Sequence, residues 1–167
     1  LRLLILAILL GTATAADAQS APVKASRSSK KMTTIARAAD PRKYDPAEAI
    51  RPLNGVIQEK PTADELKEAF LLLGDIYADI GQGELALGRY DRAMEVMSPQ
   101  DVKGRAEVLL KRGTVQLELA DYDGARGSFG QCLTLVPENG APSNACREGL
   151  ADLEARSDNF VESQNYY

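Results

Sequence analysis

The chain contains no histidine. That absence removes the commonest general base, the Ser-His and Cys-His nucleophile pairs, and imidazole metal ligands. Tryptophan is also absent, and aromatic residues make up only 5% of the 167 positions. A core drawn mainly from Leu, Ala, Ile and Val favours helices over a sandwich or barrel. The apolar run at residues 3–10 falls well short of the ~20 residues that span a bilayer. What is present is an ordinary apolar content of 44% in a length suited to one domain with a core of its own.

The first residues have the layout of a secretory signal peptide. Arg2 precedes the apolar run, small residues follow, and Ala16-Asp17-Ala18 gives an Ala-x-Ala cleavage pattern, with Ala13-Thr14-Ala15 as a second. No cysteine lies near either pattern, which argues against a lipoprotein. Residues 1–18 are expected to be a signal peptide, and the destination the bacterial periplasm or the cell exterior. Anchoring in the inner membrane by an uncleaved N-terminus is the alternative.

Charge is unevenly placed. Residues 19–43 hold Lys24, Arg27, Lys30, Lys31, Arg37, Arg42 and Lys43 against Asp40 alone, a net +6, so the body from residue 44 onward carries −10 within a formal total of −4. The basic segment is rich in Ser, Ala and Lys. It is expected to be a disordered linker, because it cannot bury enough surface to offset its ordering entropy.

Helical punctuation starts at Asp45-Pro46-Ala47-Glu48, an acidic cap followed by Pro in the first turn. This helix is expected over 45–60, with Pro52 as a point of kinking. Thr62-Ala63-Asp64-Glu65 is a capping box, and behind it Leu66, Phe70, Leu73, Tyr77 and Ile80 form one apolar stripe. Later stripes are Ala86, Tyr90, Ala93 and Met97, then Ala106, Leu109, Gly113 and Leu117, then Ala125, Phe129, Cys132 and Val136. A last helix is expected over 143–156, followed by a polar tail at 157–167. The string "DIGQGELALG" at residues 79–88 has the glycine spacing of a phosphate loop. It follows a helical stripe, however, and lacks Lys-Ser or Lys-Thr after its glycines, so it reads as a turn between helices.

An offset of 39 relates Phe70 to Leu109, Gly74 to Gly113, Ala86 to Ala125, Tyr90 to Phe129 and Ala93 to Cys132. A fixed offset over helix, turn and helix marks an internal repeat and hence a stacked array. These residues carry a resemblance. Phe70, Leu73-Gly74, Tyr77, Ala86, Tyr90, Ala93 and Pro99 resemble the tetratricopeptide repeat. A second copy matches at Leu109, Gly113, Tyr122, Ala125, Phe129, Cys132 and Pro137, and departs at Arg112 and Gln116, where the family prefers large apolar residues. The family period is about 34; the surplus is expected as a longer junction between Met97 and Ala106. The implied fold is an all-α, short helical-hairpin solenoid of five to six helices over 44–156. Its parts are a half-repeat at 45–60, repeats at 62–99 and 100–139, and a capping helix.

By the same resemblance the first helix of each repeat lines a groove. The implied lining is Glu68, Leu71, Leu72, Asp75, Asp79, Glu107, Leu110, Lys111, Thr114 and Glu118, acidic with an apolar floor. It would suit a basic or amphipathic protein segment. No enzymatic site and no cofactor is expected. Asp121-Tyr122-Asp123-Gly124 lacks the third acidic position and the distant Glu of a calcium loop, and Asp75 with Asp79 reads as a solvated face rather than an acid–base pair. The implied role is a non-enzymatic interaction scaffold; the alternative is a structural subunit of an envelope assembly, held by hairpin edges and tails. Cys132 and Cys146 are either bridged, as a secreted chain favours, or a packing residue and a free thiol. The basic segment is a spacer, a weak contact to anionic membrane, or an occupant of the chain's own groove. Nucleic acid is not expected, given the acidic body and an extracytoplasmic destination.

Overall fold

The computed structural model describes residues 30–38, 45–136 and 140–164, with side chains described through residue 157. The segment at 1–18 lies outside the described residues. Among the described residues every regular element is a helix: α1 (residues 30–38), α2 (Pro46–Gln58), α3 (Ala63–Asp79), α4 (Gly83–Val96), α5 (Val102–Glu118), α6 (Tyr122–Leu135) and α7 (Ala141–Gln164). None is long and apolar enough to cross a membrane.

Local chemistry sets the helix starts. Asp45 Oδ1 accepts from Ala47 N at 3.0 Å, and Pro46 occupies the first turn of α2. Thr62 and Glu65 form a reciprocal capping box on α3: Glu65 N donates to Thr62 Oγ1 and Thr62 N to Glu65 Oε2. Asp101 caps α5 through Gly104 N, and Asp121 caps α6 through Gly124 N. The residues with a calcium-loop look are thus a helix start. Each such cap satisfies a backbone donor that would otherwise lack a partner and stabilises its helix by about 1 kcal/mol. The first-helix ends also match. Gly81 (φ 74°) and Ala120 (φ 59°) take the left-handed conformation. Gln82 N donates back to Tyr77 O at 2.7 Å and Asp121 N to Gln116 O at 2.8 Å, closing the same turn twice.

α3 with α4, and α5 with α6, form antiparallel hairpins; α2 packs on α3, α4 on α5, and α7 on both α5 and α6. Two apolar clusters result. One gathers Ile35, Ala49, Leu53, Leu73, Ile76, Tyr77 and Tyr90. The other gathers Ala106, Leu109, Leu117, Phe129, Cys132, Cys146 and Leu153. Met94 packs against both and makes them continuous. The rings are the layer fillers. A Cβ at Gly74 would collide with the Tyr90 ring, and one at Gly113 or Gly149 with the Phe129 ring. Glycine there is what lets the helices close on a buried aromatic.

Three sequence expectations are amended. Within the basic segment read as lacking structure, residues 30–38 are helical. They bury Ile35 and Ala38, and Lys31 Nζ donates to Glu59 O at 2.6 Å while lying 3.9 Å from Glu65 Oε2. Ile35 and Ala38 join the N-terminal apolar cluster, and Lys31 ties this short helix to the end of α2. The junction between Met97 and Ala106 is no extended loop. Asp101 starts α5 at Val102, and the surplus over the usual period lies in 17-residue first helices. Finally, α7 continues through Gln164 rather than ending near 156, so residues 157–164 of the expected polar tail are helical.

Sγ of Cys132 and Sγ of Cys146 are bonded, joining α6 to α7 across 14 positions with a Cα–Cα distance of 6.5 Å. Both residues are fully buried. A ring of this size restricts the unfolded chain by ~3 kcal/mol.

Candidate protein-binding groove

The first helices of the two repeats, α3 and α5, lie side by side. Two open-sided depressions follow the seam between them. The first, of about 400 Å³, is lined by Lys67, Glu68 and Leu71 from the N-terminal half of α3 and by Lys103, Gly104, Glu107, Val108 and Lys111 from α5, with Met97 and Asp101 at the junction. The second, of about 560 Å³, is lined by Ala78 and Asp79 from the end of α3, Tyr90 from α4, and Leu110, Lys111, Thr114, Val115 and Glu118 from α5. N-terminal residues meet N-terminal residues and C-terminal meet C-terminal, so α3 and α5 run parallel.

Lys111 belongs to both depressions and forms the septum between them. Its Nζ donates to Asp75 Oδ1 and Oδ2, both at 2.6 Å, and Tyr90 Oη donates to the same Oδ1 at 2.8 Å. Asp75 is therefore engaged by two donors, and Lys111 offsets its charge. Its role is to hold Lys111 upright and to satisfy the hydroxyl of a ring that is otherwise buried in the core. Burial, then the adjacent Asp75 carboxylate, pushes the Tyr90 phenol well above its ordinary value, and Asp79 and Glu118 act in the same direction. The phenol stays a donor throughout the physiological range, and the floor of the second depression sits in a negative field.

The two depressions differ in charge. The first balances Lys67, Lys103 and Lys111 against Glu68, Asp101 and Glu107. There Lys67 lies 3.5 Å from Glu68 and Lys103 lies 4.0 Å from Glu107. In the second, Asp79 and Glu118 are exposed, and among the described residues neither is drawn into an ion pair. The acidic character expected of the groove is thus uneven: Asp79 and Glu118 stand outside any ion pair among the described residues, whereas about three to four helical turns toward the N-termini Glu68 and Glu107 are paired with Lys67 and Lys103.

Of the residues expected to line the groove, Glu68, Leu71, Glu107 and Lys111 come together in the first depression. Asp79, Leu110, Lys111, Thr114 and Glu118 meet in the second. Leu72 lines neither and packs against the N-terminal apolar cluster; Asp75 lines neither and is spent on its two donors. Lys67 and Lys103 were missed, although continuing the i, i+4 rows of Leu71 and Glu107 one step back reaches both. Tyr90 comes from the second helix, and no face argument on the first helices reaches it. Among the described residues no cluster of three or more acidic or cysteine ligands could hold a metal ion.

No protein-family model matches the chain, and no curated protein matches it. Among solved structures, the tetratricopeptide-repeat domain of Sgt2 from Aspergillus fumigatus is similar, with a TM-score of 0.54 at 18% identity over 87% of this chain and 83% of that one. The likeness establishes the fold: this chain is a tetratricopeptide-like helical solenoid.

Proposed function

We propose that the protein is a non-enzymatic scaffold that holds a basic or amphipathic segment of another protein along the α3–α5 groove. The fold favours a protein partner in general, since such stacks present extended surfaces built for segments. The observation that carries the finer reading is the second depression. Two exposed carboxylates, Asp79 and Glu118, flank a floor of Ala78, Leu110, Val115 and the Tyr90 ring. A cationic side chain with an apolar neighbour fits that combination. Placement in the bacterial periplasm, as the N-terminal layout implies, gains support from the Cys132–Cys146 bridge, which persists best in an oxidising compartment. Of the basic segment, Lys31 is withdrawn from any membrane contact by its burial beside Glu65.

The test is capture of partners from envelope extract by the full chain and by the double variant Asp79→Lys/Glu118→Lys. The expected result is a partner whose affinity for the variant falls at least tenfold, about 1.4 kcal/mol. Unchanged capture refutes the groove. A specific observation keeps the structural-subunit reading as a second one. Ile80 and Leu119, 39 positions apart at the two hairpin turns, are 37% and 41% exposed, an apolar edge suited to neighbours in an assembly. A stable multimer in light scattering favours that reading; a monomer favours the scaffold.

A further inference from the structure

The offset of 39 that relates the two repeats continues one step toward the N-terminus. On α1 Lys31, Ile35 and Ala38 are buried, and 39 positions later so are Phe70, Gly74 and Tyr77 of α3. Ile35 and Ala38 join the cluster that holds Leu73, Ile76 and Tyr77, and Lys31 Nζ lies 3.9 Å from Glu65 Oε2 in the first turn of α3. α1 thus lies beside α3 and turns the same face to the core. Its flank with Thr34 and Arg37 meets Pro52 of α2 around a depression of about 140 Å³. Met32, about 100° round the helix from Lys31, stands on the opposite flank and is 42% exposed. Its counterparts at the offset are Leu71, which lines the first depression of the groove, and Leu110, which lines the second; both are half-buried. One apolar side chain therefore stands at the same register on each of α1, α3 and α5.

Charge lies to one side of this row. Ala36 of α1 stands where α3 has Asp75 and α5 has Thr114, so at Met32 and Ala36 the flank of α1 is uncharged. Beside Leu71 and Leu110 the charges are paired, Lys67 with Glu68 and Lys111 with Asp75. Asp79 and Glu118, at the C-terminal ends of α3 and α5, are exposed and outside any ion pair among the described residues. Single apolar residues on a surface call for no explanation, but a row in register beside two such carboxylates restricts what can cover it. An apolar occupant would strip water from Asp79 and Glu118 and return no partner. An acidic one would be repelled there, and a basic one without apolar side chains would leave the row wet.

We infer that the binding surface extends from the α3–α5 seam onto α1, and that its occupant is a basic amphipathic segment of another protein, with apolar side chains over Met32, Leu71 and Leu110 and cationic ones at Asp79 and Glu118. The inference rests on the scaffold reading above. It adds a third helix to the surface and an arrangement to what is bound.

The experiment uses the full chain, with isotope-labelled methionine methyl groups, and a blocked fluorescent dodecapeptide of Lys, Leu and Ala. Its counterparts carry Glu for Lys or Ser for Leu. Affinity is read by fluorescence anisotropy at physiological salt. Contact at α1 is read from the Met32 methyl signal, assigned by its loss in Met32→Leu. The Lys/Leu/Ala peptide is expected to bind about tenfold or more tightly than either counterpart, and to move the Met32 signal. Met32→Ser should weaken it about threefold or more, because apolar surface that the occupant covers is lost. Met32→Leu should keep the affinity. Leu85→Ser, which removes an exposed apolar side chain of α4 that lines neither depression, should leave it unchanged. No preference for the basic amphipathic peptide, unchanged affinity in Met32→Ser, an equal loss in Leu85→Ser, or a Met32 signal that stays in place overturns the inference. If envelope capture still depends on Asp79 and Glu118 in those cases, the scaffold reading stands on the α3–α5 seam alone; if it does not, both fall.

Discussion

The hairpin α3–α4 and the hairpin α5–α6 have the same helix lengths, 17 and 14 residues, and the same turn geometry, yet they solve equivalent contacts by different chemistry. Tyr77 is stacked beneath the Arg89 guanidinium, 5.7 Å from the ring centre; at the equivalent pair, Ser128 Oγ donates to Gln116 Oε1 at 2.6 Å. Tyr90 brings a hydroxyl and finds Asp75, while Phe129 brings none and the position equivalent to Asp75 is Thr114, bonded to its own helix at Leu110 O. Ala93 is a small residue at a helix crossing, and its counterpart Cys132 is crosslinked to α7. Each exchange is coupled: when one partner changes, the residue it faces changes with it. What the fold demands is a filled volume and satisfied polar groups, not a particular pair.

The comparison can be broken in three places, taken from the largest expected effect downward. Removing the crosslink by Cys146→Ser should cost the second repeat ~3 kcal/mol. The loss is measured as a lower urea midpoint, with no such cost on the first repeat's amide protection. Next, Phe129→Tyr puts a hydroxyl where no carboxylate waits. An unsatisfied buried donor costs ~1–3 kcal/mol, read from thermal unfolding. The double change Phe129→Tyr/Thr114→Asp should recover most of the loss by rebuilding the first repeat's pair. Last, Ala120 holds a left-handed backbone that Gly81 holds without strain. Ala120→Gly should stabilise by ~1 kcal/mol and Gly81→Ala should destabilise by about the same. A null result for both would mean that the two turns relax independently of their residue.

Much of this architecture was legible before any coordinates. Thr62 and Glu65 announced α3, Pro46 announced α2, and the offset of 39 announced the stack, because caps and periodicity are local signals. Gln116 was not legible. As a polar residue at a position that prefers bulk it looked like a weakness. It is in fact buried and satisfied twice, by Ser128 and through its Nε2 by Asp121. α1 was hidden for the opposite reason: Ile35 and Ala38 are too few to make a periodic stripe, and Lys31 signals solvent until Glu65 and the end of α2 are placed beside it. The groove's membership was half visible. Face arguments recovered Glu68, Leu71, Asp79, Glu107 and Glu118, but placed Asp75 among free acids, because nothing along the chain shows that Lys111 and Tyr90 converge on it.

The tether at Lys31 has a consequence for how the molecule comes apart. A linear array of stacked layers melts from its ends inward. One end of this array is covalently welded where α7 meets α6. The other is a nine-residue helix that buries Ile35 and Ala38 and is tied through Lys31 to Glu59 O. Disassembly therefore has a preferred direction: it enters at α1, and the last layer to loosen is the one farthest from where the chain begins.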